Sequence, residues 1–194
     1  MFNFKIEKRK VMNMANNVGY LKAENNTSAD EKYTPFYAVE PIVKYIKPGS
    51  KVWCPFDKGW SAYSVLLKEK GFEVITSHLE EGKDFFEYEP EDYDVIISNP
   101  PFSKKDQVLE RLYELGKPFA VLLPMNSLQG KSRCKMFVKG IQLLSFDARI
   151  GFHNADSMDK TIEGSPFASA YFCKDFLPKD LIVEILEKYD RKLI

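Results

Sequence analysis

The tetrapeptide Asn99-Pro100-Pro101-Phe102 follows the apolar run Tyr93-Asp94-Val95-Ile96-Ile97-Ser98, where a buried strand should end and a loop begin. Two successive prolines fix φ near about −65° and remove two backbone donors, so the loop is stiff and its carbonyls can point at a ligand. Such a loop can grip a planar amine. The Asn99 side-chain oxygen and the Pro100 carbonyl accept its two N–H hydrogens, and the Phe102 ring stacks on it. Accepting both hydrogens draws the nitrogen lone pair out of conjugation and makes the amine a better nucleophile. The plain alternative is a proline-rich turn, but with proline at only about 5% of average usage this string is uncommon by chance.

Strand and helix patterns alternate around this loop. Strands are expected at Lys51–Cys54, Glu73–Thr76, Tyr93–Ser98, Phe119–Leu123, Gln142–Phe146 and Phe167–Cys173. Helices are expected at Ala38–Ile46, Ser61–Lys70, Lys104–Leu115, Ser132–Val138 and Lys179–Tyr189, the last from acidic residues toward its start and Lys188 toward its end. The alternation predicts an α/β fold, a mostly parallel sheet with helices on both faces. In such a sheet ligands bind beyond the carboxyl ends of the strands. The loops 55–59, 77–82, 99–102 and 124–131 all fall there.

Asn99–Phe102 resembles the (Asp/Asn/Ser)-Pro-Pro-(Tyr/Phe) motif of S-adenosylmethionine-dependent amino-methyltransferases. Tyr33-Thr34-Pro35 and the helical stretch after it are similar to the segment that precedes the first strand in N6-adenine DNA methyltransferases, of the small kind carried by phages and mobile elements. The resemblance implies a Rossmann-like class I methyltransferase fold, S-adenosylmethionine as cofactor, and methyl transfer to adenine N6 in DNA. Asn99, Pro100, Pro101 and Phe102 would form the catalytic loop, with Tyr33, Thr34 and Pro35 beside the methionine part of the cofactor. The motif leaves the substrate open, because Asn-Pro-Pro-Phe also resembles RNA guanine-N2 methyltransferases and Asn-Pro-Pro-Tyr glutamine-N5 methyltransferases. An RNA methyltransferase, or an inactive nucleic-acid-binding protein that keeps the fold, is the alternative.

After its first strand this family carries a Gly-x-Gly turn, and here only Gly59 remains of the pair. Asp57 is placed to meet the cofactor's ammonium, and Pro55-Phe56 resembles the Glu-Pro-(Ala/Phe) form of some adenine methyltransferases. In place of the usual acid after the second strand stand Ser77-His78, with Glu80 and Glu81 close behind. A neutral His78 nitrogen can replace that acid toward the ribose hydroxyls. Asp84 resembles the residue that takes the cofactor's adenine amino group, and Phe85 would cover the ring.

The 28 basic and 28 acidic residues cancel, so attraction for a phosphate backbone must come from a local patch. Lys131, Arg133 and Lys135 are the candidate phosphate contacts for double-stranded DNA. The stretch 151–165, with Phe152, His153 and Asn154, is the candidate recognition loop. Since that loop is short, a second copy of the chain is a candidate partner. At 194 residues and 44% hydrophobic content the chain fits one domain, residues 33–194, behind a polar arm at 1–32 that reads as mobile. Three cysteines without close spacing or neighbouring histidines suggest reduced thiols and no metal. No apolar run has membrane-spanning length, and a cytoplasmic protein is expected.

Overall fold

The computed structural model describes residues 32–154, 157–161 and 165–193. The elements in chain order are β1 (Lys32–Tyr33), α1 (Phe36–Val43), β2 (Lys51–Cys54), α2 (Ala62–Glu69), β3 (Glu73–Thr76), β4 (Val95–Ser98), α3 (Lys105–Leu115) and β5 (Phe119–Pro124). They continue with α4 (Lys131–Phe137), β6 (Gln142–Phe146), β7 (His153–Asn154), β8 (Ser157–Thr161), β9 (Ser169–Lys174) and β10 (Leu181–Glu184).

A seven-stranded sheet runs in the order β10-β6-β9-β5-β4-β2-β3. β9 is antiparallel to both neighbours and the other pairings are parallel. This is the expected α/β architecture. β4 and β5 are buried along their whole lengths, which a central parallel strand requires once both faces are covered. The crossovers β2-α2-β3 and β4-α3-β5 leave the sheet centre in opposite directions, so right-handed connection places α2 and α3 on opposite faces. α1 packs on α2, and α4 on α3. Gly116 ends α3 with φ 67°, a left-handed cap that lets the chain turn at once into β5. Because β3 lies on one side of β2 and β4 on the other, a crevice opens beyond the carboxyl ends of β2 and β4.

The expected helix Lys179–Tyr189 is instead β10. Charges ordered for a helix dipole are compatible with a strand, whereas burial alternates with period two. Leu181 and Val183 are exposed, Ile182 and Glu184 half-buried. The β-branched Ile182, Val183 and Ile185 favour the same outcome. Leu143 N donates to Asp180 O at 2.7 Å and Asp147 N to Glu184 O at 3.1 Å, which fixes β10 as a parallel edge strand on β6.

Within the expected recognition loop at 151–165, residues 153–154 and 157–161 are strands, and residues 155–156 and 162–164 lie outside the described residues. β7 and β8 belong to a small antiparallel sheet ordered β1-β7-β8, in which Tyr33 pairs with His153 and Lys32 with Asn154. Residues 1–31 of the expected arm lie outside the described residues, and Lys32 already belongs to β1. Cys54 and Cys173 are buried as core packing, Cys134 is exposed, and all three are free thiols. Among the described residues no helix is long and apolar enough to cross a membrane.

Candidate active site

β4 delivers Asn99 to the crevice. The Asn99 side-chain nitrogen donates to the main-chain carbonyl of Lys32 at 2.8 Å. That bond fixes which end of the amide is the oxygen; Asn99 borders the cleft, and its Oδ1 is buried with no hydrogen-bond partner among the described residues. A buried acceptor left unsatisfied disfavours the fold by about 1–3 kcal/mol, which a ligand N–H would recover. Pro100 is buried, and Pro101, in extended conformation at φ −60° and ψ 125°, lines the cleft.

β2 delivers Asp57 to the other side. This carboxylate is 7% exposed and lines the same cleft, whose volume is ≈ 360 Å³. The Ser98 hydroxyl, at the end of β4, donates to Asp57 Oδ2 at 2.5 Å, and the Ser61 hydroxyl also bonds the carboxylate. Ser61 is at the same time the N-cap of α2, accepting from Ser64 N at 3.2 Å. Burial pushes the Asp57 carboxyl up to about 6, against the two hydroxyls, which hold it down. Among the described residues no cationic side chain forms an ion pair with it. A buried carboxylate held, among the described residues, by hydroxyls and bordering a cleft can receive a positively charged group.

Other expected residues border this cleft. Tyr33, Thr34, Pro55, Phe56, His78, Asp84 and Phe85 all line it. The Tyr33 ring meets Trp60 edge-on at 4.9 Å. His78 Nδ1 accepts from Glu80 N at 3.2 Å, so a neutral His78 carries its proton on Nε2 and offers a donor rather than the expected acceptor. Glu80 forms an ion pair with Lys58 at 2.7 Å that keeps its carboxyl below the usual range. Asp84 Oδ1 accepts from Phe86 N at 3.0 Å and sets the turn that carries both phenylalanines. Phe85 is only 2% exposed, packed against Phe56 at 4.8 Å and Trp53 at 5.5 Å, so it is core as well as cleft wall.

Pro35 and Gly59 do not reach the cleft. Pro35 precedes α1 as its N-cap. Gly59 is exposed, its φ is not positive, and a Cβ built there would meet nothing, so glycine is not required at that position. Phe102 turns away as well. It is buried and packs edge-on against Phe167 at 5.5 Å and Phe152 at 6.1 Å. The structure thus brings Phe102 together with Phe152 and not with the amine site. His153 is buried beside Phe152, and Asn154 Oδ1 accepts from Lys32 Nζ. His153 and Asn154 secure β1, and Phe152 packs in the core with Phe102 and Phe167, so the three do not form an exposed reading edge.

Among the expected phosphate contacts, Lys131 and Lys135 are exposed on α4 but Arg133 is not available. Its guanidinium pairs with Asp106 and donates to the carbonyls of Ser127, at 2.7 Å, and Gln129. Gly130 makes room for it, since a Cβ there would lie 2.5 Å from the guanidinium. Arg149 and Arg111 are also turned onto carbonyls, of Ser165 at 2.9 Å and Tyr88 at 3.4 Å. Sequence reasoning missed Ser61, Ser98 and the Lys32 carbonyl. Ser61 carried a signal as the polar residue opening a helix, and Ser98 as the polar end of an apolar strand. A main-chain carbonyl from a distant segment carries none.

No protein-family model and no curated protein matches the chain. Among solved structures it is similar to the methyltransferase subunit of a type I restriction-modification system from Streptococcus thermophilus, at 13% identity and a TM-score of 0.48, covering 90% of this chain and 53% of that one. It is also similar to a protein assigned to the class I S-adenosylmethionine-dependent methyltransferases from Listeria monocytogenes, at 12% identity and a TM-score of 0.45, covering 88% and 71% respectively. The chain spans about half the length of the first of these.

Proposed function

We propose that this chain is an S-adenosylmethionine-dependent amino-methyltransferase acting on adenine N6 in DNA. The observation that carries the reading is the pairing, at one cleft, of Asn99, whose amide oxygen is buried without a partner among the described residues, with the buried carboxylate of Asp57, which no described cation pairs. The donor set fits the cofactor. Asp57 would hold its ammonium, His78 and Glu80 its ribose hydroxyls, and Asp84 its adenine amine, with Phe56 and Phe85 as apolar walls. When bound, S-adenosylmethionine supplies a methyl group activated by the adjoining sulfonium.

The chain's own part is orientation. Asn99 Oδ1, held by Lys32, accepts one hydrogen of the target amine, and the Pro100 carbonyl takes the other, turning the lone pair toward the methyl. No strong base is needed, because an amine becomes acidic only once it is alkylated. The target base must leave its stack to reach this depth. DNA is favoured by the likeness of Tyr33-Thr34-Pro35 to the adenine-methyltransferase segment, and in the structure Tyr33 and Thr34 border the cleft.

The test is to incubate the full chain with methyl-labelled S-adenosylmethionine and duplex DNA, digest to nucleosides and identify the product by mass spectrometry. N6-methyladenine is expected. Methylguanine from RNA or methylglutamine from protein would overturn the substrate assignment. Calorimetry showing no cofactor binding at millimolar concentration, with the fold intact, would overturn the enzyme assignment.

A further inference from the structure

Three of the exposed large apolar side chains fall within five residues. Leu181 is 60% exposed, Val183 63% and Ile185 75%. The others, such as Leu79 and Val138, are scattered singly. β10 is the last strand of the sheet, and among the described residues nothing pairs with its outer edge. The bonds to β6 use Asp180 and Glu184. Alternation along a parallel ladder therefore turns the N–H and C=O groups of Leu181, Val183 and Ile185 outward. The apolar side chains and the unused backbone groups thus belong to the same residues. A free, apolar strand edge of this kind is a template for another strand.

The flanking charges select the partner. Lys179 lies four residues before Val183 and Glu187 four residues after it, both exposed, and among the described residues neither forms an ion pair. In an antiparallel pair of two β10 strands with a twofold axis through Val183, Val183 meets its own copy, Leu181 comes opposite Ile185 twice, and Lys179, in the bend before β10, comes to the end of the pair where the other copy's Glu187 follows its strand. Backbone parity, apolar contact and charge all agree in this one register. We infer that β10 joins two copies of this chain edge to edge, antiparallel about Val183, into one continuous sheet. A single short strand pair buries less than a standard interface of about 1,600 Å², so the dimer is reversible, with a dissociation constant of about micromolar to hundreds of micromolar.

Sedimentation velocity of the full chain from about 1 to 500 μM tests this, with circular dichroism reporting the fold. A concentration-dependent dimer is expected. Val183→Lys should leave a folded monomer, because like charges then meet on the axis. Glu187→Lys, on an exposed side chain without an ion pair among the described residues, should raise the dissociation constant about tenfold by setting Lys against Lys at both ends. The double variant Lys179→Glu with Glu187→Lys should restore dimerisation, since the pair is merely exchanged. A monomer at every concentration overturns the inference. So does a dimer indifferent to Val183→Lys, or one weakened equally by the single and double charge variants. None of these readouts depends on methyl transfer.

Discussion

The side-chain nitrogen of Asn99 donates to the main-chain carbonyl of Lys32 at 2.8 Å, across 67 residues of sequence. Lys32 is itself held, its backbone paired with Asn154 and its ammonium bonded to the Asn154 side chain. The small sheet β1-β7-β8 therefore fixes the orientation of the Asn99 amide at the cleft. An asparagine amide can rotate to present either end, and this bond removes the choice.

Asn99→Ala should lower kcat by about a hundred- to a thousandfold, as for other single preorganised polar groups, with cofactor affinity changed only a few-fold. Steady-state kinetics with calorimetry separates the two effects. Asn99→Asp should behave differently, because an ionised oxygen would face the Lys32 carbonyl. Only the protonated acid can donate there, so residual activity of this variant should fall as pH rises through the introduced group's pKa. A flat pH profile would show that the Lys32 carbonyl does not orient residue 99.

Asp57 should oppose stability while serving binding. Its carboxyl is raised from an ordinary 3.8 to about 6. A raised acid gives the fold an advantage that is complete below the unfolded value and lost as pH rises through the folded one, so at pH 7 the ionised, buried group is a burden of up to about 3 kcal/mol. Asp57→Asn should accordingly raise the denaturant midpoint at pH 7 and match the unsubstituted chain near pH 3.5. The same substitution should weaken S-adenosylmethionine binding, and in the unsubstituted chain that binding should weaken as pH falls through about 6. A variant less stable at pH 7 would show that the hydroxyls of Ser61 and Ser98 over-compensate burial.

The basic residues of α4 should separate into two kinds. Arg133→Ala removes the Asp106 pair and two bonds to loop carbonyls, and should lower stability by about 1–3 kcal/mol in chemical denaturation. Lys131→Ala and Lys135→Ala should leave stability unchanged. Together they should reduce the salt slope of DNA binding by about 2, one unit for each phosphate contact. A larger loss of slope from Arg133→Ala than from the two lysines would place the guanidinium on DNA after all.

Phe102, Phe152 and Phe167 should respond as one cluster. Phe102→Ala and Phe152→Ala each should destabilise by about 3–5 kcal/mol, and the double variant by less than the sum, since the rings touch. Thermal or urea unfolding measures this. Full additivity would mean that the rings do not share their contacts.

The sheet, its helices and the loop positions were determined by the sequence itself, because period-two and helical patterns and the turn residues between them are local. So was the meeting of Asp57, Asp84, His78 and Asn99, since a parallel sheet gathers the ends of its strands on one side. Tertiary structure decided what those side chains became. β10 is a strand because β6 had an open edge to pair with, a fact outside its own residues. Phe102 is core because Phe152 and Phe167, remote in sequence, fill the space around its ring. Arg133 is lost to phosphate because Asp106 and two loop carbonyls reach it first. The Asn99 amide has one orientation because Lys32, brought back by β7, claims its nitrogen. Charge, hydrogen bonding and ring contact act over a few ångströms, and which groups come that close is fixed by the fold rather than by neighbours along the chain.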